Sequence, residues 1–345
     1  TMSWWPQQWK KRSIRPPPRQ QKQHQLFDVV PSSDLWDLIL DMKWDQVLPH
    51  VQDHPQDAQW SDGHWHETPL YLACQHNAPL EVIRALVQAY PQALLIASGT
   101  NNNKDLPIHI ACRYQMSDAI LRELLKDYPA TAVEQTRWGR TPMMALWEFR
   151  PMEQFRDNSY PSETIPAHFW SKAQLILEAV ARFHQFVFCE NQVPATIIKE
   201  CGEGTLNENS EDVKVNDVVP TSETLLIVHA AVSLGALNCP IEILDQALRK
   251  FPEQAHTKDQ WGKLPLHIAV GPASWNASTR RQYKPREEQF ISLLLSVNPS
   301  AATQHLVHDH NRLPLHTALI NRHTWKNGVE SLFLAAPDVL FIPDP

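Results

Sequence analysis

Glycine is scarce in this chain, nine residues in 345, and the few are scattered. That leaves little room for a Gly-rich phosphate loop, and neither a Gly-x-Ser-x-Gly elbow nor a His-Glu-x-x-His metal helix occurs. Long apolar runs are missing too. The longest, Leu225 to Leu237, contains His229 and is too short to cross a bilayer. No apolar h-region follows the N-terminus, so no secretory signal is visible. The five cysteines, Cys74, Cys112, Cys189, Cys201 and Cys239, are odd in number and lack framework spacing. They are expected as reduced thiols in a cytoplasmic or nuclear setting. A basic excess is absent as well: the net charge of −7 argues against the chain as a whole binding nucleic acid. No cofactor is called for.

Proline is plentiful, at 28 residues, and it falls in a pattern. Leu264-Pro265-Leu266-His267-Ile268-Ala269 recurs as Thr68-Pro69-Leu70-Tyr71-Leu72-Ala73, as Leu106-Pro107-Ile108-His109-Ile110-Ala111 and as Leu313-Pro314-Leu315-His316-Thr317-Ala318. Thr141 to Leu146 and Ile227 to Ala231 are worn copies. A second motif comes after each first one, ending in Tyr90-Pro91, Tyr128-Pro129, Phe251-Pro252 or Asn298-Pro299. Self-similarity at this period marks a solenoid. Proline suits the first helical position, where its missing N–H costs nothing. The second helix is expected to start at Pro79, Ser117, Pro240 and Pro285, with apolar residues at helical spacing such as Leu80, Ile83, Leu86, Val87 and Tyr90. The later proline forces the residue before it out of helical geometry. With so little glycine, the helices are expected to end mainly by proline rather than by left-handed glycine caps. The stretch between second motif and next first motif suits an extended excursion.

These units resemble ankyrin repeats, whose signature is Thr-Pro-Leu-His-x-Ala at the start of the first helix. Trp138-Gly139-Arg140 and Trp261-Gly262-Lys263 look like the hairpin tips that lead into it. The resemblance covers roughly residues 34–340. It implies an all-α, ankyrin-like helical solenoid of about six stacked helix-turn-helix repeats with degenerate end caps. It also implies a protein-binding role for the concave face and hairpin tips. Leu stands for Thr at 106, 264 and 313, which removes the implied Thr–His hydrogen bond there, and Tyr71 and Met144 stand for the His.

Along the chain, residues 1–27 carry Lys10, Lys11, Arg12, Arg15, Arg19 and Lys22 with no acid, leaving the remainder at −13. This reads as a disordered basic tail: a solvated segment, an import signal or a contact for an acidic partner. Trp4, Trp5 and Trp9 within it suit docking or a recognition peptide. The repeat array is placed at 28–340, with insertions at about 150–166 and 189–223, and 341–345 as a short tail. Insertions in repeat arrays map to one face, often a binding face.

Of the 17 histidines, His109, His229, His267 and His316 occupy the repeat slot and are expected to bond the neighbouring hairpin backbone. His305, His308 and His310, and His64 with His66, come nearest to metal spacing but have no accompanying ligand set. The partner-binding candidates are the tips: Trp138, Arg140, Trp261, Lys263, Asp309, Asn311 and Arg312, because exposed Trp and Arg are what hot spots are made of. The leading reading is a non-enzymatic, monomeric scaffold or adaptor that binds another protein and no membrane. A second is a nuclear regulator whose basic tail contacts nucleic acid or an import receptor. A third places a catalytic domain outside this stretch, since the sequence begins at Thr1.

Overall fold

A computed structural model describes residues 34–62, 66–98, 104–150, 165–191, 225–271, 285–306 and 310–344. The basic tail and nearly all of both expected insertions lie outside the described residues. Within them the chain forms fourteen α-helices arranged as seven successive pairs. The first helices are α1 (Asp34–Leu40), α3 (Pro69–Gln75), α5 (Pro107–Arg113), α7 (Pro142–Glu148), α9 (Ile227–Leu234), α11 (Pro265–Val270) and α13 (Pro314–Ile320). The second helices are α2 (Trp44–Asp53), α4 (Leu80–Ala89), α6 (Asp118–Lys126), α8 (Ala167–Asn191), α10 (Ile241–Lys250), α12 (Pro285–Val297) and α14 (Val329–Ala335). The fold is the all-α, ankyrin-like solenoid that the repeats imply. Isolated antiparallel bridges, Ser98 with Asp105 and Leu306 with Arg312, mark two hairpins, and no longer strand forms among the described residues.

Five of the seven first helices open in one of two ways. Where Thr precedes the proline, its hydroxyl takes the third residue's N–H: Thr68 Oγ1 from Tyr71 at 3.2 Å and Thr141 Oγ1 from Met144 at 3.4 Å. Where Leu precedes it, the bond runs in reverse. Leu has no acceptor, and the histidine Nδ1 takes the Leu N–H instead, at 3.2 Å for His109, 3.0 Å for His267 and 3.4 Å for His316. The worn copy at α9 has neither device. There the buried Gln254 reaches back from the end of its own repeat: Oε1 accepts from Val228 N–H and Nε2 donates to the Leu225 carbonyl, both at 3.0 Å.

The second helices follow the expectation of proline over glycine caps, while the first helices use a device that the sequence reading did not name. Four first helices end instead on left-handed residues that are not glycine: Met42, Asn77, Gln115 and Arg322, with φ between 54° and 62°. In each, the next residue's N–H reaches back into the last turn, as Ala78 to the Ala73 carbonyl at 2.9 Å and Met116 to Ala111 at 3.0 Å. This is the Schellman arrangement, which satisfies orphan carbonyls. Proline does stop six of the second helices, but the chain does not become extended at once. Pro91–Leu95, Pro129–Ala132, Pro252–Ala255, Pro299–Thr303 and Pro337–Phe341 are 3₁₀ turns, and Pro55–Gln59 is another. The prolines that begin second helices also sit one step earlier than expected at 79 and 240, as N-caps.

Packing results from the pattern. Leu70, Ala73, Ile108, Ala111, Leu266 and Ala318 face inward, as do Ile83, Leu86, Leu121, Leu124, Ile243 and Leu244, all essentially without exposure. Each such large side chain contributes about 1.5–3 kcal/mol. The 3₁₀ turns add a third buried row, Ala93 and Leu94, Ala132, Ala255, and Ala301 with Ala302. Cys74, Cys112 and Cys239 are buried free thiols, as expected of small hydrophobes.

Stacking holds its register through α1, α3, α5 and α7 and through α2, α4, α6 and α8. It holds again from α9 through α11 to α13 and from α10 through α12 to α14. Between the two runs the pattern changes: the long helix α8 packs against α9, a second helix against a first. Smaller links support this joint. Thr141 Oγ1 donates to the Asn238 carbonyl at 3.3 Å, His184 Nε2 meets Ser233 Oγ at 2.9 Å, and Gln260 Nε2 donates to the His184 carbonyl at 3.3 Å.

Candidate binding surface

Two of the hairpins between repeats are each built by one polar side chain. Asp259 Oδ1 accepts from the Trp261 and Lys263 N–H groups at 2.9 and 2.8 Å, and Thr136 Oγ1 accepts from Trp138 and Arg140, both at 3.3 Å. Cross-strand bonds close each loop, Thr136 N–H to the Arg140 carbonyl and Asp259 N–H to the Lys263 carbonyl, both at 2.9 Å. The tip then needs a left-handed residue, which Gly139 (φ 74°) and Gly262 (φ 71°) supply. At the last hairpin His310 and Asn311 adopt that geometry themselves.

The histidine slot fixes these hairpins to the helices. Nε2 of His109 meets the Glu134 carbonyl at 3.2 Å, His229 meets Lys263 at 3.2 Å, His267 meets Gln304 at 3.0 Å and His316 meets Ile342 at 3.0 Å. For the three that also accept a Leu N–H, the bonds define a neutral ring protonated on Nε2. Burial holds three of these imidazoles below their ordinary pKa, His109 down to about 4, with His229 and His267 shifted the same way. Tyr71 fills the slot by other means: its hydroxyl bonds Ser98 of the following hairpin, and burial raises its pKa.

The predicted tip residues divide. Trp138 is 69% exposed, and Arg140 is exposed with Nε 3.2 Å from Glu148. Trp261 and Lys263 are half-buried, the latter with its carbonyl occupied by His229. Asn311 is exposed, and its carbonyl accepts from His305 Nδ1 at 2.7 Å. Arg312 is half-buried and bonds Asp344 at 3.0 Å. Asp309, like Lys10, Lys11, Arg12, Arg15 and Arg19 of the tail, lies outside the described residues.

A second group is not among the residues the sequence singles out. Tyr114 and Phe149 stand seven residues after Pro107 and Pro142, just beyond the ends of α5 and α7, and are 49% and 46% exposed. Arg113 lies over the Phe149 ring at 5.3 Å and Arg150 over Trp147 at 4.0 Å. Arg113 is oriented by the buried Asp105 at 2.7 Å. The sequence does hold a signal for them: the same step after consecutive motif prolines carries an aromatic, with arginine beside it.

Among the described residues no three His, Cys, Asp or Glu side chains group as they would around a metal ion. No described helix is long and apolar enough to cross a membrane.

No family model matches the chain. No curated protein matches it either. Among solved structures the chain is similar to the ankyrin repeat domain of Bcl-3, a member of the IkappaB protein family, at 15% identity. That likeness covers 87% of this chain and 97% of the other with a TM-score of 0.38, so the helix pairs themselves carry the fold assignment.

Proposed function

We propose that the chain is a protein-interaction scaffold whose partner is another protein, engaged by the first run of repeats. The observation that carries this reading is a set of exposed aromatics, Tyr114, Phe149 and Trp138, set on rigid helix ends and a closed hairpin with Arg113, Arg140 and Arg150 beside them. Tyr, Trp and Arg dominate binding hot spots. A surface held by packed helices loses little entropy on association. The tips at Trp261, Lys263, Asp309, Asn311 and Arg312 extend the same role along the second run.

The test is quantitative capture from native extract with residues 28–345, compared with a Tyr114→Ala, Phe149→Ala, Trp138→Ala variant of unchanged melting temperature. A partner held by the parent and lost by the variant supports the assignment; one retained at equal affinity refutes it. A second reading gives the basic tail a nucleic acid or an import receptor, on the strength of six cations without an acid in residues 1–27. It requires salt-steepened binding that vanishes when the tail is removed.

A further inference from the structure

Where α12 meets the segment leading into α14, two buried oxygen atoms find no hydrogen-bond donor. They are Glu288 Oε2, in the first turn of α12, and Asn327 Oδ1, at the end of the 3₁₀ turn Trp325–Asn327. That turn and α14 both pack on α12. Hydrogen bonds tie the two oxygens into one constellation. Asn327 Nδ2 donates to Glu287 Oε2 at 2.6 Å, and the Ser331 hydroxyl donates to Glu288 Oε1. Glu287 and Glu288 are adjacent, and Asn327 and Ser331 stand four residues apart across the start of α14, so the bonded pairs lie side by side. Asn327 is 3% exposed, whereas the Glu287 side chain is 40% exposed and leaves a way in from solvent.

An acceptor buried without a donor is costly, and more so on a carboxylate. The start of α12 favours negative charge, but a helix dipole supplies a field and no bond to Glu288 Oε2. Among the described residues no lysine or arginine pairs with either carboxylate. Only His323 approaches, its Nδ1 3.9 Å from Glu287, and that nitrogen meets the Asn327 carbonyl at 3.0 Å.

We infer that Glu287, Glu288, Asn327 and Ser331 form a binding site for a hard divalent cation, Ca²⁺. Two carboxylates match its charge, and an amide oxygen and a hydroxyl stand where a third His, Cys or acidic ligand is missing. The donors are all oxygen, with no thiol and with the histidine nitrogen engaged by the backbone, which disfavours zinc and copper. Calcium takes roughly six to eight oxygens in flexible geometry, whereas magnesium demands a near-ideal octahedron that a helix turn and a 3₁₀ turn do not set up.

Calorimetric titration of the full chain with CaCl₂, after dialysis against EDTA, tests the inference. A two-carboxylate site should give a dissociation constant on the order of 10⁻⁴ M, with Mg²⁺ weaker by about 10-fold or more. Glu288→Gln should weaken calcium binding about 30-fold, while melting without calcium holds or rises, because a buried charge has been removed. A carboxylate with a purely structural role would instead lower the melt. Asn327→Asp adds a third carboxylate and should tighten calcium about 10-fold even if the calcium-free chain melts lower. Glu330→Gln, exposed on α14, should change neither quantity. A parent chain that binds no calcium, one that binds Mg²⁺ equally well, or a calcium affinity unmoved by both Glu288→Gln and Asn327→Asp would each overturn it.

Discussion

At the scale of single residues, the repeat is governed by what sits third in the first helix. A histidine there joins two repeats by taking a Leu N–H with one nitrogen and giving its proton to the next hairpin with the other. Removing it leaves both partners buried, so His267→Ala should cost about 2–4 kcal/mol, read as a lower urea midpoint at constant slope. Protonating it has a related effect, because the second proton would face an N–H donor. His109 binds that proton only near pH 4 when folded but near pH 6.5 when unfolded, so the unfolded chain holds more protons between those values. Stability from this group is therefore fully present above pH 6.5 and falls as pH drops toward 4, by about 3 kcal/mol. The urea midpoint of the parent should fall over this window, and that of His109→Leu should fall less. The two residues that break the slot have their own reasons. Tyr71 reaches Ser98 with its hydroxyl, and Met144 belongs to the repeat that leads into α8 rather than into a described hairpin. The slot histidines are legible in the sequence because their chemistry is local and periodic. The exchange of Thr for Leu at the cap is visible as letters, but its compensation depends on which way a hydrogen bond runs.

At the scale of elements, the proline rule is readable only in half of its consequences. Proline expels the preceding residue from the helix, but nothing in that rule says the chain turns at once into a 3₁₀ segment. That segment exists because residues within each turn, such as Ala93 and Leu94, are small or apolar and close the core from below. The left-handed ends at Asn77, Gln115 and Arg322 are hidden for the complementary reason. Glycine announces such a site in sequence, whereas these residues accept the strain because two backbone bonds and, for Gln115, side-chain bonds to the Cys112 and Leu146 carbonyls hold them there. Glycine is needed where space also fails. Gly328 precedes α14 with φ 111°, and a Cβ there would lie 2.2 Å from Ile291 Cδ1. Gly328→Ala should therefore destabilise the last repeat by about 2–3 kcal/mol, combining backbone strain with overpacking. Gly235→Ala, at φ 77° with nothing within 4 Å, carries only the strain, about 1 kcal/mol. Parallel thermal melts should rank them in that order.

At the scale of the whole molecule, the change in register between α7–α8 and α9–α10 matters more than any single repeat. In a solenoid, stability is a sum of repeat terms and nearest-neighbour interfaces, so cooperativity spreads only as far as the interfaces are strong. The long helix α8 is firmly part of the first run: Lys172 Nζ donates to the Gln115 carbonyl at 2.8 Å, and Ser171 bonds Asp118. Toward the second run, among the described residues, its main helix–helix contact is with α9, joined by a few polar links, where a regular joint stacks first helix on first and second on second. A substitution on one side should then be felt mainly on that side. Leu121→Ala in α6 and Leu244→Ala in α10 each empty a fully buried site and should each cost about 2–5 kcal/mol. By calorimetry, Leu121→Ala should split off a lower transition for the first run and leave the second in place, and Leu244→Ala should do the reverse. If either change instead carries the entire transition down as one peak, the α8–α9 joint transmits as strongly as a regular one. The first run would then present its aromatic surface on a body whose rigidity depends on every repeat.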